Sequence, residues 1–379
     1  VIPEKIGDAT NVKHTLFALI RKDGSIWTVG GNIYGQLGNG TTLNATYLTN
    51  VGADEVKLNV RNEYIKIGNK LEIKATEGEN INAFIQDSSN KGSWTWTSSN
   101  EDVATIDNNG IVTGKTIGYT TITGYNTKTA ATAKAIINVY SNKEGAITRP
   151  QIEVGPEYTI TLKEDGTVWA TGKNDCGQLG NGTTTNSNKP VQVKIDENTY
   201  LTNVRKISTS NLFTVALTTN GEAYAWGYNP KGQLGQGTTS NVLYATKVKN
   251  QDGTGYVQNI IDVIANHSDT MYLDKDGGIY MCGYSNSTLF LGQTASTKGV
   301  TYLGQKNAIK ITGGYYNAGL ITASGKAIAW GQNDYGAFGN GTTSSNETLI
   351  GENINDFKLA AYGGVILREN GKAYITGYN

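Results

Sequence analysis

The sequence predicts an all-β molecule: a β-propeller interrupted by a separate all-β insert. Three observations point there. Glycine supplies 48 of 379 residues and tyrosine 22, with Pro held to 5, a mix that suits many short strands joined by tight turns. A glycine-aromatic pattern recurs through the chain at a spacing near 50 residues, the period of a four-stranded propeller blade. Once, between Gly24 and Gly166, that spacing stretches to 142 residues, which leaves room for a second domain.

The repeat reads Gly, two residues, an aromatic or aliphatic residue, two residues, Gly, and often Asn two residues later. Its copies are Gly24-Trp27-Gly30-Asn32, Gly166-Trp169-Gly172-Asn174, Gly221-Tyr224-Gly227-Asn229, Gly277-Tyr280-Gly283, Gly325-Ile328-Gly331-Asn333 and Gly371-Tyr374-Gly377-Asn379. A second block follows in four copies, Gly35-Gln36-Leu37-Gly38-Asn39-Gly40 being the first and Gly336 to Gly341 the last. The fourth copy keeps only Leu291-Gly292.

Within the second copy the strands follow in order. Strand A lies near Ile152–Val154, B over Tyr158–Leu162, C over Thr167–Thr171 and D over Pro190–Ile195. Asp23-Gly24 and Asp165-Gly166 fall between B and C, where a two-residue hairpin needs positive φ.

Period and wording together resemble the RCC1 repeat family. Six repeats are visible, so the resemblance implies a propeller of six or seven blades. Asn11-Val12-Lys13-His14-Thr15 is similar to the family's Gly-x-x-His-Ser/Thr segment, with Asn for Gly.

The insert has its own alternating runs, such as Lys70–Ala75 and Ala135–Val139, together with Trp96-Thr97-Ser98-Ser99-Asn100 and Asn109-Gly110-Ile111-Val112-Thr113-Gly114. These are similar to the bacterial Ig-like domain group 2, which implies a β-sandwich with Trp96 in its core and a place on a bacterial exterior. The expected domains are residues 1–53, the first propeller repeat; 54–142, the Ig-like insert; and 143–379, the remaining repeats. Complete hydrophobic runs predict that the insert folds by itself.

Little in the chain suggests catalysis. Lys plus Arg equals Asp plus Glu, so no net charge draws the chain to nucleic acid. No apolar run approaches the ~20 residues of a membrane span. The chain opens on Val1, which suits a mature protein or an excised fragment. Cys176 and Cys282 are too few for a disulfide framework. His14 and His267 lie in different repeats and form no metal pair or relay. Asp274-Lys275-Asp276-Gly277 starts like a calcium loop but lacks the remainder. No P-loop, dinucleotide fingerprint or nucleophile elbow is present. The sequence therefore predicts no enzyme, no cofactor, no metal, no nucleic-acid partner and no membrane insertion.

Function is then expected in what varies between repeats. In an A-B-C-D meander the A–B and C–D loops leave one face, and the B–C turns, D–A links and insert leave the other. The first face collects Tyr34, Tyr158, His267, Tyr315, Tyr316 and Tyr335. Tyrosine offers a large contact area and one polar tip at small entropic cost. These residues are the candidate binding set for a protein or glycan partner, at the surface of a bacterium, expected to be Gram-positive, or outside the cell; the sparing use of Cys suits such a surface and suits the cytoplasm as well. The RCC1 resemblance also implies two alternatives: a secreted inhibitor of an enzyme such as a β-lactamase, and an exchange factor for a small GTPase.

Overall fold

Antiparallel sheets of three or four strands, each taken up in chain order, make the body of the molecule. The computed structural model describes residues 16–20, 26–30, 45–50, 56–76, 94–126, 131–283, 299–344, 347–351, 354–360, 362–369 and 371–378. The first sheet is β1 (Leu16–Ile20), β2 (Ile26–Gly30) and β3 (Ala45–Asn50). After it come the insert's strands: β4 (Lys57–Leu58), β5 (Asn62–Lys66), β6 (Lys70–Glu72), β7 (Ala75–Thr76), β8 (Trp94–Ser98), β9 (Ala104–Ile106), β10 (Ile111–Gly114), β11 (Gly118–Asn126) and β12 (Thr132–Tyr140).

Four full blades follow. Blade two is β13 (Gln151–Val154), β14 (Tyr158–Leu162), β15 (Val168–Gly172) and β16 (Ser187–Gln192). Blade three is β17 (Val204–Ser210), β18 (Phe213–Thr218), β19 (Ala223–Gly227) and β20 (Val242–Lys247). Blade four is β21 (Ile260–Ala265), β22 (Asp269–Asp274), β23 (Gly278–Gly283) and β24 (Thr301–Gln305). Blade five is β25 (Ala308–Gly313), β26 (Asn317–Thr322), β27 (Ala327–Gly331) and β28 (Thr348–Gly351). The sixth sheet is β29 (Ile354–Leu359), β30 (Gly363–Arg368) and β31 (Ala373–Gly377). This is the all-β propeller that the repeat predicts.

Strand D of blade two starts at Ser187, three residues ahead of its expected start at Pro190. Gly172 takes φ +111° at the end of β15, and the register with β16 shifts there, so Gly172 pairs with Ser187. Only glycine enters that conformation without a steric cost.

Blades cohere by packing face on face. In blades three and five, strands B and C are buried at every residue, because each sheet lies between two neighbours. Tyr158, Ile160 and Leu162 of blade two pack on Ile207, Ala216 and Trp226 of blade three. Phe213 and Val215 pack on Val263 and Tyr272 of blade four. Blade two and the sixth sheet differ. Ile152 and Val154 of β13 are 69% and 72% exposed, and Ile375 of β31 is 87% exposed.

The insert is two sheets over one core, ordered β5-β12-β11-β8 and β6-β10-β9. Ile73, Val112, Ile122, Ile137 and Val139 fill it. Half-buried Trp96 packs against that core, over Gly124, where a Cβ would come within 2.6 Å of the indole.

The insert does not stand apart from the propeller. Ile136 of β12 joins the apolar cluster of Ile309, Ile321 and Phe338. The Lys134 amide donates to the Ala323 carbonyl at 2.7 Å. The Lys134 ammonium, wholly buried, reaches Asn355 at 3.0 Å and Glu369 at 2.5 Å. The Tyr119 hydroxyl meets Asp356 at 3.1 Å, and Arg205 of β17 lies 4.9 Å from the Tyr64 ring. The polar contacts fall on Ala323 and Glu369 in B–C turns and on Arg205, Asn355 and Asp356 in strand A, so the insert meets that face at blades three, five and six.

Candidate binding face

The opposite face is built from the A–B and C–D loops. One buried side chain organises each well-formed C–D loop. Asn174, Asn229 and Asn333 are at most 1% exposed. In each, the side-chain oxygen accepts the amide of the residue five places on, at 2.9 to 3.0 Å. The side-chain nitrogen donates to two carbonyls farther along, Thr238 and Ser240 in the case of Asn229, both at 2.9 Å. One amide thus satisfies three backbone groups that the loop would otherwise bury unpaired. This explains the Asn that follows the glycine pattern by two residues.

The candidate residues fall into three groups. Tyr34 lies outside the described residues. Tyr158 is 2% exposed, and its hydroxyl donates to the Phe213 carbonyl at 2.7 Å. It is a core residue tying blade two to blade three, and it leaves the candidate set. Burial pushes its phenol well above the usual tyrosine range. The other four lie on the loops.

His267, Tyr315 and Tyr316 form one aromatic cluster. The His267 ring centre is 3.8 Å from that of Tyr315, and Tyr315 meets Tyr316 edge-on at 4.4 Å. His267 Nδ1 pairs with the Ser268 hydroxyl at 2.7 Å, and its Nε2 faces Asn211 at 3.5 Å. Partial burial lowers its pKa, so the ring is neutral at pH 7. Tyr315 is 43% exposed.

Tyr335 belongs to a second cluster. It meets Tyr362 and Tyr378 edge-on, at 5.3 and 5.2 Å. All three rings are exposed. Tyr362 and Tyr378 are absent from the sequence-derived set. The repeat held the signal: Tyr362 sits in the A–B loop of the sixth repeat as Tyr315 does in the fifth, and Tyr378 follows the last strand-C glycine as Tyr228 follows Gly227. Blade two contributes charge instead, with Lys173 bound to Glu157 at 2.5 Å and to Asp175 at 3.5 Å.

The described residues hold no cluster of possible metal ligands: no group of three His, Cys, Asp or Glu gathers among them. Cys176 and Cys282 are free thiols. Burial pushes the Cys282 thiol up to about 12, and it donates to the Gln233 carbonyl at 3.1 Å.

Known proteins agree with this architecture. The regulator of chromosome condensation (RCC1) repeat matches residues 165–217 and 220–273, with a further match at 204–233. The chain carries RCC1 repeats. The bacterial Ig-like domain (group 2) matches residues 69–137, within the insert. The RCC1-type chain is 26% identical over 241 residues to the ultraviolet-B receptor UVR8 of Arabidopsis thaliana, covering 60% of this chain and 53% of the receptor. It is 29% identical over 206 residues to the human E3 ubiquitin-protein ligase HERC2, covering 52% of this chain and 4% of the ligase. It spans about half the length of the receptor. Among solved structures, human WBSCR16 overlays with a TM-score of 0.51 at 17% identity, over 69% of this chain and 75% of that one. RCC1-type propellers are typically protein-binding or regulatory, and some act as exchange factors.

Proposed function

We propose that this chain is a non-catalytic binding module that holds a protein or glycan partner on the face opposite the Ig-like insert. The observation that carries the reading is the division of the two faces. The insert occupies one through Lys134, Ile136, Tyr64 and Tyr119. The other presents exposed Tyr315, Tyr335, Tyr362 and Tyr378 in two edge-on clusters. Hot spots favour Tyr, Trp and Arg at well-packed positions, and a specific partner needs about 800 Å² per side, so the face that the insert leaves open is the better seat. A protein is the favoured partner, since proteins are what RCC1-type propellers typically bind. The match to a bacterial Ig-like domain supports a place on the surface of a bacterium, or outside it.

The test is a capture experiment against surface extracts, run with the wild type, Tyr315→Ala, Tyr335→Ala and the double variant. Each single change is expected to weaken the captured partner roughly tenfold with the melting temperature unchanged, since both rings project from loops. Retention of full affinity by the double variant would refute the reading.

A further inference from the structure

Strand β12 serves two cores. Ala135, Ile137 and Val139 turn into the insert, while Ile136 joins Ile321, Ile354 and Phe357 of the propeller. Lys134 shares the parity of Ile136, and its side chain is wholly buried. Its stem crosses Gly325 at the B–C turn of blade five, where a Cβ would come within 2.6 Å of the lysine Cε. Nζ ends between two side chains of the sixth sheet. It donates to Asn355 Oδ1 at 3.0 Å and meets the Glu369 carboxylate at 2.5 Å. A C=O bond adds about 1.2 Å, so Nζ lies within about 4.2 Å of the Asn355 Cγ.

An amine, a carboxamide and a carboxylate thus meet at one point, and the blade itself demands neither of the last two. The register of strands A and B puts Arg205 and Thr219 at the same two positions in blade three, Ile261 and Lys275 in blade four, and Ile309 and Ala323 in blade five. Only the sixth sheet sets Asn beside Glu there, under the buried lysine.

We propose that Lys134 and Asn355 condense to an isopeptide bond, with Glu369 carrying the protons, so that the insert is fastened covalently to the sixth sheet. Burial lowers the Lys134 pKa against the opposing pull of Glu369, which favours the neutral amine that can attack. Glu369 takes one proton from Nζ, and the amine bonds to the Asn355 Cγ. The Glu369 carboxyl hands that proton to the carboxamide nitrogen. A second Nζ proton follows by the same route as the bond from Cγ to that nitrogen breaks. The nitrogen leaves as ammonium, Glu369 is again a carboxylate, and no other reactant enters. The ion pair seats the insert first, and the bond then makes the seating permanent. It joins residues 221 apart, so it also removes chain entropy from the unfolded state.

The test is cyanogen bromide cleavage of the folded full chain, read on a denaturing, reducing gel. Both methionines, Met271 and Met281, lie between Lys134 and Asn355, so an unjoined chain falls into 1–271, 272–281 and 282–379. The first and last pieces are expected to stay joined. The intact chain is expected about 17 Da below the mass of its sequence, one ammonia having left. Asn-Gly pairs such as Asn181-Gly182 also lose ammonia on cyclising, so the joined pieces decide and not the mass alone. Trypsin is expected to release a branched peptide carrying Lys134 and Asn355. Asn355→Ala and Glu369→Gln are expected to give separate pieces. Separate pieces from the wild type would show that Lys134 only pairs with its neighbours, and would overturn the proposal. Joined pieces from Asn355→Ala overturn it as well, and joined pieces from Glu369→Gln overturn the part given to that carboxyl. Should a variant not fold, the presence or absence of the branched wild-type peptide decides alone.

Discussion

Asp269 opens β22 with its side chain fully buried, held by the Asn266 amide at 2.8 Å. Burial raises its pKa to about 7. An unfolded Asp titrates near 4. Between those values the folded state holds a proton that the unfolded chain has released, so stability falls as pH rises, and the loss levels off above pH 7. Asp269→Asn keeps a partner for Asn266 and removes the charge. It is expected to stabilise the fold by a few kcal/mol at pH 8 and by much less at pH 5, as urea midpoints at the two values would show. An equal gain at both would refute the burial argument. Tyr158 shows what a sequence offers at this scale. It shares the parity of Ile160 and Leu162 within one strand, and that alternation marks it as inward-facing. Counted among the tyrosines of the open face although it opens strand B, it is withdrawn from the binding set by its burial. Asp269 gave no such sign, because the repeat places Phe213 and Asn317 at the same point. Only the packing around it reveals a carboxyl without solvent.

Elements were the most legible level, because turn chemistry is written locally. Gly166, Gly221, Gly277, Gly325 and Gly371 all take φ between +76° and +88° at the B–C turn, the place the hairpin reading gave Gly166. A second series escaped notice. Asn203, Asn259 and Asn307 precede strand A with φ of 58°, 58° and 50°. Asn tolerates this left-handed region better than other non-glycine residues. Each carbonyl accepts an amide just past strand B of its own blade, as Asn203 does from Thr219. The C–D loops depend on the buried Asn. Asn229→Ala removes three hydrogen bonds and leaves the Thr238 and Ser240 carbonyls and the Leu234 amide without that partner. A cost of about 2–4 kcal/mol is expected, along with protease cleavage between Gly232 and Asn241. Stability within 1 kcal/mol of the wild type would show that water replaces the side chain. The course of residues 284–298, where the fourth repeat loses its second block, lies outside the described residues.

At the scale of the molecule, the repeat period announced the propeller and the anomalous gap announced the insert, since both are counts along the chain. How the two fit together was not legible. Complete hydrophobic runs suggested an insert that is self-sufficient, but Ile136, Lys134 and Tyr119 each serve the propeller as well. Their partners, Ile321, Glu369 and Asp356, lie far along the chain, and no local pattern encodes such a pairing. Lys134→Ala is expected to cost roughly 2 kcal/mol by removing a buried cation from a partly exposed Glu369. It is also expected to speed amide exchange in β11 and β12 ahead of the blades. Uniform exchange across both parts would mean that the ion pair is incidental to the docking.

The Tyr119–Asp356 contact joins residues 237 apart, and this separation has a consequence for how the chain acquires its shape. Stacked repeats assemble as a nearly one-dimensional array, each unit stabilised by its neighbours, and nucleation can start anywhere along them. A strap from the insert to the sixth repeat abolishes that freedom at the final step. The closure entropy of so long a loop is repaid only when Asn355, Asp356 and Glu369 are already in position. The blades are thus free to form in any order, but the strap seats last. During synthesis Lys134 leaves the ribosome 221 residues ahead of Asn355, and through that interval its ammonium waits for the surface that will bury it.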